Sequence, residues 1–234
     1  MRRRIRTPVL LAATAALFAA PLTAQQRPMT WMDAQLMRSA GSWEVSPDRT
    51  LMLYTVSTPD WEEAERYSDV HLVSLRDGVS SSRRLTFTDD DNEEDPTWGP
   101  DGSFFVFASD RDQGDGLRGN QLFMMRHDGG EARRITDAAR GVSNFRFSPD
   151  GRWLVFRSGE QGMQQLHALP VADLDGADAE AITEEPAGIE NWEFSPDGAR
   201  IYFVRPDSFL TAEKQRLEAG FTVDVRNAET PLSK

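Results

Sequence analysis

The chain has 234 residues, no cysteine, and 38 acidic against 26 basic side chains, for a formal net charge of −12. Without thiols it can form neither disulfides nor thiolate metal centres. The acidic balance argues against nucleic acid, whose phosphates need Lys and Arg to neutralise them, and favours cationic or neutral ligands.

Arg2, Arg3, Arg4 and Arg6 precede an apolar stretch from Val9 to Ala20, and Leu22-Thr23-Ala24 offers a small-residue cleavage site. This pattern predicts a signal peptide over residues 1–24 and an exported, periplasmic or secreted product. The apolar stretch is shorter than the ~20 residues that span a bilayer, so no membrane association is expected after cleavage. Loss of the four arginines takes the charge from −12 to −16, with 22 basic residues against 38 acidic ones. Residues 25–41 read as a short helical lead-in.

From residue 42 one phrase is written four times. Its copies are Trp43–Tyr54, Thr97–Phe107, Phe145–Phe156 and Trp192–Phe203, each an aromatic strand, a Ser-Pro-Asp-Gly turn and an apolar strand. The turn prolines Pro47, Pro100, Pro149 and Pro196 lie 53, 49 and 47 residues apart. Before each turn, apolar positions alternate with Glu44, Thr97, Arg146 and Glu193, the period-two signature of a strand with one buried face. After it, Leu51–Tyr54, Phe104–Phe107, Trp153–Phe156 and Ile201–Val204 are unbroken apolar runs, which read as strands buried on both faces. Pro presets the backbone for the turn's second position, and Asp and Gly suit the next two. Copy one carries Arg49 for the Gly, and copy two carries Gly99 for the Ser.

Third strands are expected at Asp69–Leu75, Gln121–Arg126 and Gln164–Leu169. Fourth strands are expected to end in Arg84-Leu-Thr86, Arg134-Ile-Thr136 and Ala181-Ile-Thr183. Four antiparallel strands in about 50 residues make a propeller blade. The expected fold is therefore all-β: a β-propeller of four-stranded antiparallel blades, incomplete at about three and a half, with a signal helix at the N-terminus. The blades span about 42–88, 96–138, 142–185 and 190–234, the last one incomplete. A short helix over Phe209–Ala219 and a strand over Phe221–Arg226 are expected in the tail.

Each candidate site is weak against this ruler. Gly141-Val-Ser143-Asn-Phe145 lacks the second glycine of a nucleophile elbow and leads into a strand. Counted from the preceding turn proline, His71, His127 and His167 fall at unlike places, which disfavours a shared metal. Asp89–Asp95 lacks the glycine of a calcium loop and reads as a solvated inter-blade loop. Trp43, Trp98, Phe145, Trp153 and Trp192 recur in phase and read as blade-to-blade core. Trp61 falls outside the phase and is left without a role. No catalytic, substrate-binding or metal-ligating residue is assigned, and no cofactor is expected.

With its Ser-Pro-Asp-Gly strands, its Arg-Leu-Thr endings and its export signal, the mature chain resembles the propeller domain of exported prolyl-oligopeptidase-family serine peptidases. The dipeptidyl- and acylaminoacyl-peptidase types are nearest. The lead-in Met29-Thr-Trp-Met-Asp33 and the tail Gly220–Asn227 add to the likeness, while TolB-like periplasmic propellers share the blade phrase. The resemblance implies a non-catalytic propeller portion that gates peptide access to a C-terminal α/β-hydrolase domain absent from this chain. That hydrolase domain and a peptide substrate are then its partners. Glu184-Glu185 stands roughly where some relatives hold a peptide amino terminus, but Glu93-Glu94 looks like a similar pair, which favours generic acidic loops. The alternatives are a TolB-like module that binds protein partners without chemistry, or a short protein that completes its ring by self-association.

Overall fold

A computed structural model of the chain describes residues 27–111, 116–174 and 176–206. The expected signal peptide, tail helix and tail strand lie outside the described residues. The chain divides into two units at Gln35. Within the first, α1 (Trp31–Gln35) is capped reciprocally: the Thr30 hydroxyl accepts the Asp33 N–H at 3.2 Å, and the Asp33 carboxylate accepts the Thr30 N–H at 2.8 Å.

The described residues of the second unit form β-sheets, with two short 3-10 turns at Gly78–Ser81 and Val171–Asp173. Sheet one holds β1 (Ser39–Val45), β2 (Leu51–Asp60), β3 (Glu65–Ser74) and β4 (Arg83–Arg84). Sheet two holds β5 (Glu93–Trp98), β6 (Phe104–Ser109), β7 (Gln121–Arg126) and β8 (Arg133–Arg134). Sheet three holds β9 (Val142–Phe147), β10 (Trp153–Ser158), β11 (Gln165–Pro170) and β12 (Glu180–Ala181). Of sheet four, β13 (Asn191–Phe194) and β14 (Ile201–Val204) are described. All are antiparallel meanders in chain order, the expected propeller blades. The first begins at Ser39, three residues earlier than the sequence suggests.

The turn phrase is a small hydrogen-bonded device. Ser46, Ser148 and Ser195 accept the N–H of the residue five places on, at 2.9 Å each, and donate to the turn aspartates Asp48, Asp150 and Asp197. Gly99 breaks the phrase for a steric reason. A Cβ there would lie 2.6 Å from the Phe104 ring, which has taken the serine's place.

The turns also touch across blades. Gly102, Gly151 and Gly198 have φ near +70°, and their α-carbons face Pro47, Pro100 and Pro149 of the preceding turn. Backbone hand favours glycine at all three turns, and close approach adds a second reason at Gly151, where a Cβ would lie 2.9 Å from Pro100 Cβ. No preceding turn is described against copy one, and there Arg49 holds the same backbone at φ +60°.

The fourth strand is shorter than its sequence implies. Only two residues pair, and then a threonine takes over. Thr86, Thr136 and Thr183 each accept a third-strand N–H (Val70, Leu122, Leu166) at 2.9 Å, and each donates to Asp69, Gln121 or Gln165. The in-phase threonines are therefore ties between the outer strands.

The core lies in layers between blades. Leu53, Val70, Leu72 and Leu85 of the first pack on Trp98, Phe105, Phe107 and Phe123 of the second. Val106, Leu122 and Ile135 meet Phe145, Leu154 and Phe156. Val155, Leu166 and Ala168 meet Ile189 and Trp192. Trp98, Phe145 and Trp192 are buried as expected. The Trp98 indole donates to Glu44 O and the Trp192 indole to Asn144 O, both at 3.2 Å on the preceding first strand.

Two expectations need correcting. Trp43 is 71% exposed, because no described blade lies against that face of sheet one; Trp153 is 44% exposed, on the side of sheet three that only two described strands face. β14, expected to be buried on both faces, is largely exposed, since it pairs with β13 alone among the described residues.

Candidate functional site

In sheets one to three the first strand starts, the second ends and the third starts at one end, by the antiparallel register, and in sheet four the first strand starts and the second ends together likewise. Four polar residues recur there, each five places before its turn proline: Ser42, Asp95, Asn144 and Asn191. They join neighbouring first strands. Ser42 Oγ donates to Asp95 Oδ1 at 2.9 Å, and Asn144 Nδ2 donates to Asn191 Oδ1 at 3.4 Å. The first strands are thus adjacent. Asp95 and Asn144 adopt left-handed backbone, φ +50° and +46°, at bulged steps of β5 and β9, a conformation Asn and Asp tolerate better than other side chains.

Between blades one and two this end opens into a polar cleft of about 470 Å³, lined by Ser42, Thr55, Asn92, Glu93, Glu94 and Asp95 among others. Glu93 is the unexpected member. Sequence reading placed it in a solvated acidic loop, and that is wrong: it begins β5 and is fully buried. Its carboxylate pairs with Arg111 at 2.7 Å and accepts from Thr88 and Ser109. Burial pushes the Glu93 carboxyl up, against the opposing pull of Arg111 and Thr88. The Arg111 guanidinium also lies over the Phe107 and Phe123 rings, about 5 Å from each centroid. A detectable signal existed. Seven residues before the turn prolines the other copies have Ala40, Val142 and Ile189, and only this one has an acid.

Glu44 behaves similarly at the same seam. It accepts the Trp98 N–H at 2.6 Å, and burial raises its carboxyl. Glu94 and Asp95 remain exposed at the cleft mouth, and Asn120 Nδ2 donates to Glu94 at 3.3 Å. The exposed acceptors at the cleft mouth, Glu94 and Asp95, suit ligands bearing ammonium or amide donors, and the Arg66 guanidinium lines the same cleft.

The other sequence candidates are dispersed. Ser143 lies in β9, where its hydroxyl accepts from Arg157 Nε at 3.3 Å. Glu184-Glu185 and Glu93-Glu94 are not equivalent. Glu185 follows the tie threonine by two residues, as Ala138 does; its backbone meets the Gln165 amide and its side chain meets Arg205.

The histidine phasing also needs correction. His71 and His167 do share one blade position, opposite Tyr54 and Phe156 in the register, and each packs on that ring, at 5.4 and 5.7 Å. Phe123 holds the place in blade two. The longer second and third strands of blade one, ten rungs against six in blade three, had obscured this. Burial lowers both imidazoles below the ordinary histidine value. Among the described residues no three His, Asp or Glu side chains gather as a metal site.

The family model described as the TolB beta propeller domain matches residues 15–205. The uncharacterized peptidase YuxL of Bacillus subtilis is 36% identical over 109 residues, which cover 46% of this chain and 15% of that protein. Among solved structures, a candidate TolB from Agrobacterium tumefaciens aligns at 27% identity and TM-score 0.51, over 71% of this chain and 54% of the other. A puromycin-hydrolysing peptidase of Mycobacterium tuberculosis aligns at 14% identity and TM-score 0.54, over 71% and 28%. At that identity the likeness is one of fold. The chain spans only part of each of these relatives.

Proposed function

Because this chain belongs to the TolB β-propeller domain family, we propose that its blades are the propeller portion of an exported serine peptidase of prolyl-oligopeptidase type, gating the approach of short peptides to an α/β-hydrolase domain. The observation that carries this reading is the 36% identity to a protein named as a peptidase, confined to 15% of that protein's length. A shared stretch of that size fits a module that accompanies the catalytic machinery. In this reading the chain excludes bulky substrates sterically. In the cleft between blades one and two, the carboxylates of Glu94 and Asp95, exposed at a mouth also lined by Arg66, draw peptide amino termini towards the first strands. The basic, apolar N-terminus of the sequence supports export.

The 27% identity to a candidate TolB favours a second reading, a propeller that binds protein partners and performs no chemistry. One experiment separates them. The complete reading frame, expressed with its own export signal, is exposed to a fluorophosphonate probe and to aminoacyl and dipeptidyl chromogenic substrates. Covalent labelling with turnover supports the peptidase. An unlabelled product lacking any Gly-x-Ser-x-Gly would sink that reading and leave the binding module.

A further inference from the structure

Asp95-Pro96 is the one Asp-Pro sequence in the chain. Four places before the turn proline the other copies of the phrase have Trp43, Phe145 and Trp192, and copy two has Pro96. The bond falls where the β5–β6 register shifts, between Glu94↔Ala108 and Thr97↔Val106, and neither residue has a partner in the ladder. Asp95 holds φ +50°. The pyrrolidine ring pushes the residue before it towards extended backbone, so a left-handed Asp at this place is strained on two counts. Among the described residues the other left-handed non-glycines, Arg49, Ala64 and Asn144, precede Thr50, Glu65 and Phe145, none of which adds that second strain.

The groups around this bond suit its cleavage. The Asp95 carboxylate is exposed, and Ser42 Oγ of the neighbouring first strand donates to its Oδ1 at 2.9 Å. The Thr97 hydroxyl donates to the Asp95 carbonyl oxygen at 3.2 Å, the atom that gains negative charge when that carbonyl is attacked. Pro96 contributes a tertiary amide nitrogen, which departs as a secondary amine once protonated.

We propose that Asp95-Pro96 is a self-cleavage site, at which acid divides the chain between blades one and two. An Asp95 carboxylate oxygen attacks the Asp95 carbonyl carbon and closes a cyclic anhydride, a step favoured because both groups belong to one residue. The Thr97 hydroxyl stabilises the oxyanion of the tetrahedral intermediate. A solvent proton passes to the Pro96 nitrogen, and the C–N bond breaks. Water then opens the anhydride. The net change is hydrolysis of one peptide bond: Asp95 ends one piece with two carboxyl groups, and Pro96 begins the other with a free amine. Protonation of the leaving nitrogen ties the reaction to low pH. The pieces stay together, because Pro96 is buried and the core between Leu53 and Leu72 of blade one and Trp98 and Phe105 of blade two is left whole. The inference holds whether or not the peptidase reading does.

The test holds the full chain at pH about 5, above the acid range in which the fold's carboxylates are neutralised, with and without a fluorophosphonate and in parallel in concentrated urea. Denaturing electrophoresis, intact mass and N-terminal sequencing follow the products. The expected new N-terminus reads Pro96-Thr97-Trp98, and the nicked protein elutes from size exclusion as one species. Relief of the left-handed strain makes the folded chain cleave about tenfold faster than the chain in urea. Asp95→Asn keeps a residue that tolerates the backbone but removes the attacking carboxylate, and cleavage is lost. Thr97→Val keeps the side-chain shape, slows the folded chain about threefold to tenfold, and leaves the rate in urea unchanged. Four results would overturn the proposal: no cut at this bond, cleavage no faster folded than in urea, a Thr97→Val effect equal in both states, or products that the fluorophosphonate abolishes.

Discussion

Replacing Gly151 by alanine tests whether the repeat's glycine is held by its own backbone or by its neighbour. At Gly102, φ is +72° and an added Cβ would meet Pro47 Cδ at 3.4 Å, an ordinary contact. Alanine there incurs the left-handed cost of ~1–2 kcal/mol, partly offset by ~0.4–1 kcal/mol from a less flexible unfolded chain. The expected loss is about 1 kcal/mol. At Gly151, φ is +70°, but the Cβ would lie 2.9 Å from Pro100 Cβ, so one of the two turns must shift. Overpacking adds ~1–3 kcal/mol, for a total of about 2–4 kcal/mol. Guanidinium unfolding followed by tryptophan fluorescence measures both. Repeating Gly151→Ala with Pro100→Gly removes the opposing Cβ and should abolish the excess. Equal losses at the two glycines, or an excess that survives Pro100→Gly, would refute inter-blade turn contact as the reason for the glycine.

Three further expectations follow from the same contacts. Arg111→Ala strands the buried Glu93 carboxylate and should cost about 3–5 kcal/mol, whereas Glu93→Val with Arg111→Met copies the apolar Val142 of the next blade and should be near neutral; urea melts of both variants check this. Thr136→Val keeps the shape of the tie but leaves the Leu122 N–H and the Gln121 Oε1 short of a partner, so a loss of about 1–3 kcal/mol is expected by thermal melting, and an unchanged melt would remove the tie's importance. Hydrogen bonds from Ser148 and Arg152 hold Asp150 at about 2 against an ordinary 3.8, and the same turn contacts lower Asp48, Asp101 and Asp197. Carboxylates lowered in the folded state stabilise it above pH about 4, and that contribution is lost as pH falls towards 2. Asp150→Asn should therefore flatten the acid limb of a circular-dichroism titration, and an unaltered limb would count against the turn network.

The parts of the fold that repeat were legible. Turn prolines and tie threonines keep one period because each serves a contact made anew in every blade, and that contact tolerates few side chains. The exceptions were harder to see. Gly99 looked like a loose variant of serine until the Phe104 ring filled the space. Glu93 looked like one more acid in a charged run, since composition cannot distinguish a solvated carboxylate from one sealed against Arg111. The shared position of His71 and His167 was hidden because counting from the turn proline includes the extra rungs of the blade-one hairpin, and only the ladder reveals them.

By itself the sequence determined the blade, its four strands and its period, because short-range turn chemistry and period-two burial are written locally. Tertiary structure decided which faces are covered. Burial is a property of what lies opposite: Trp43 and Trp192 occupy the same place in the phrase, and one is 71% exposed while the other is 2% exposed, because among the described residues a preceding blade lies against Trp192 and none against Trp43. It also decided that the β2–β3 hairpin of blade one runs ten rungs where blades two and three run six, since residue spacing by itself does not separate strand length from loop length.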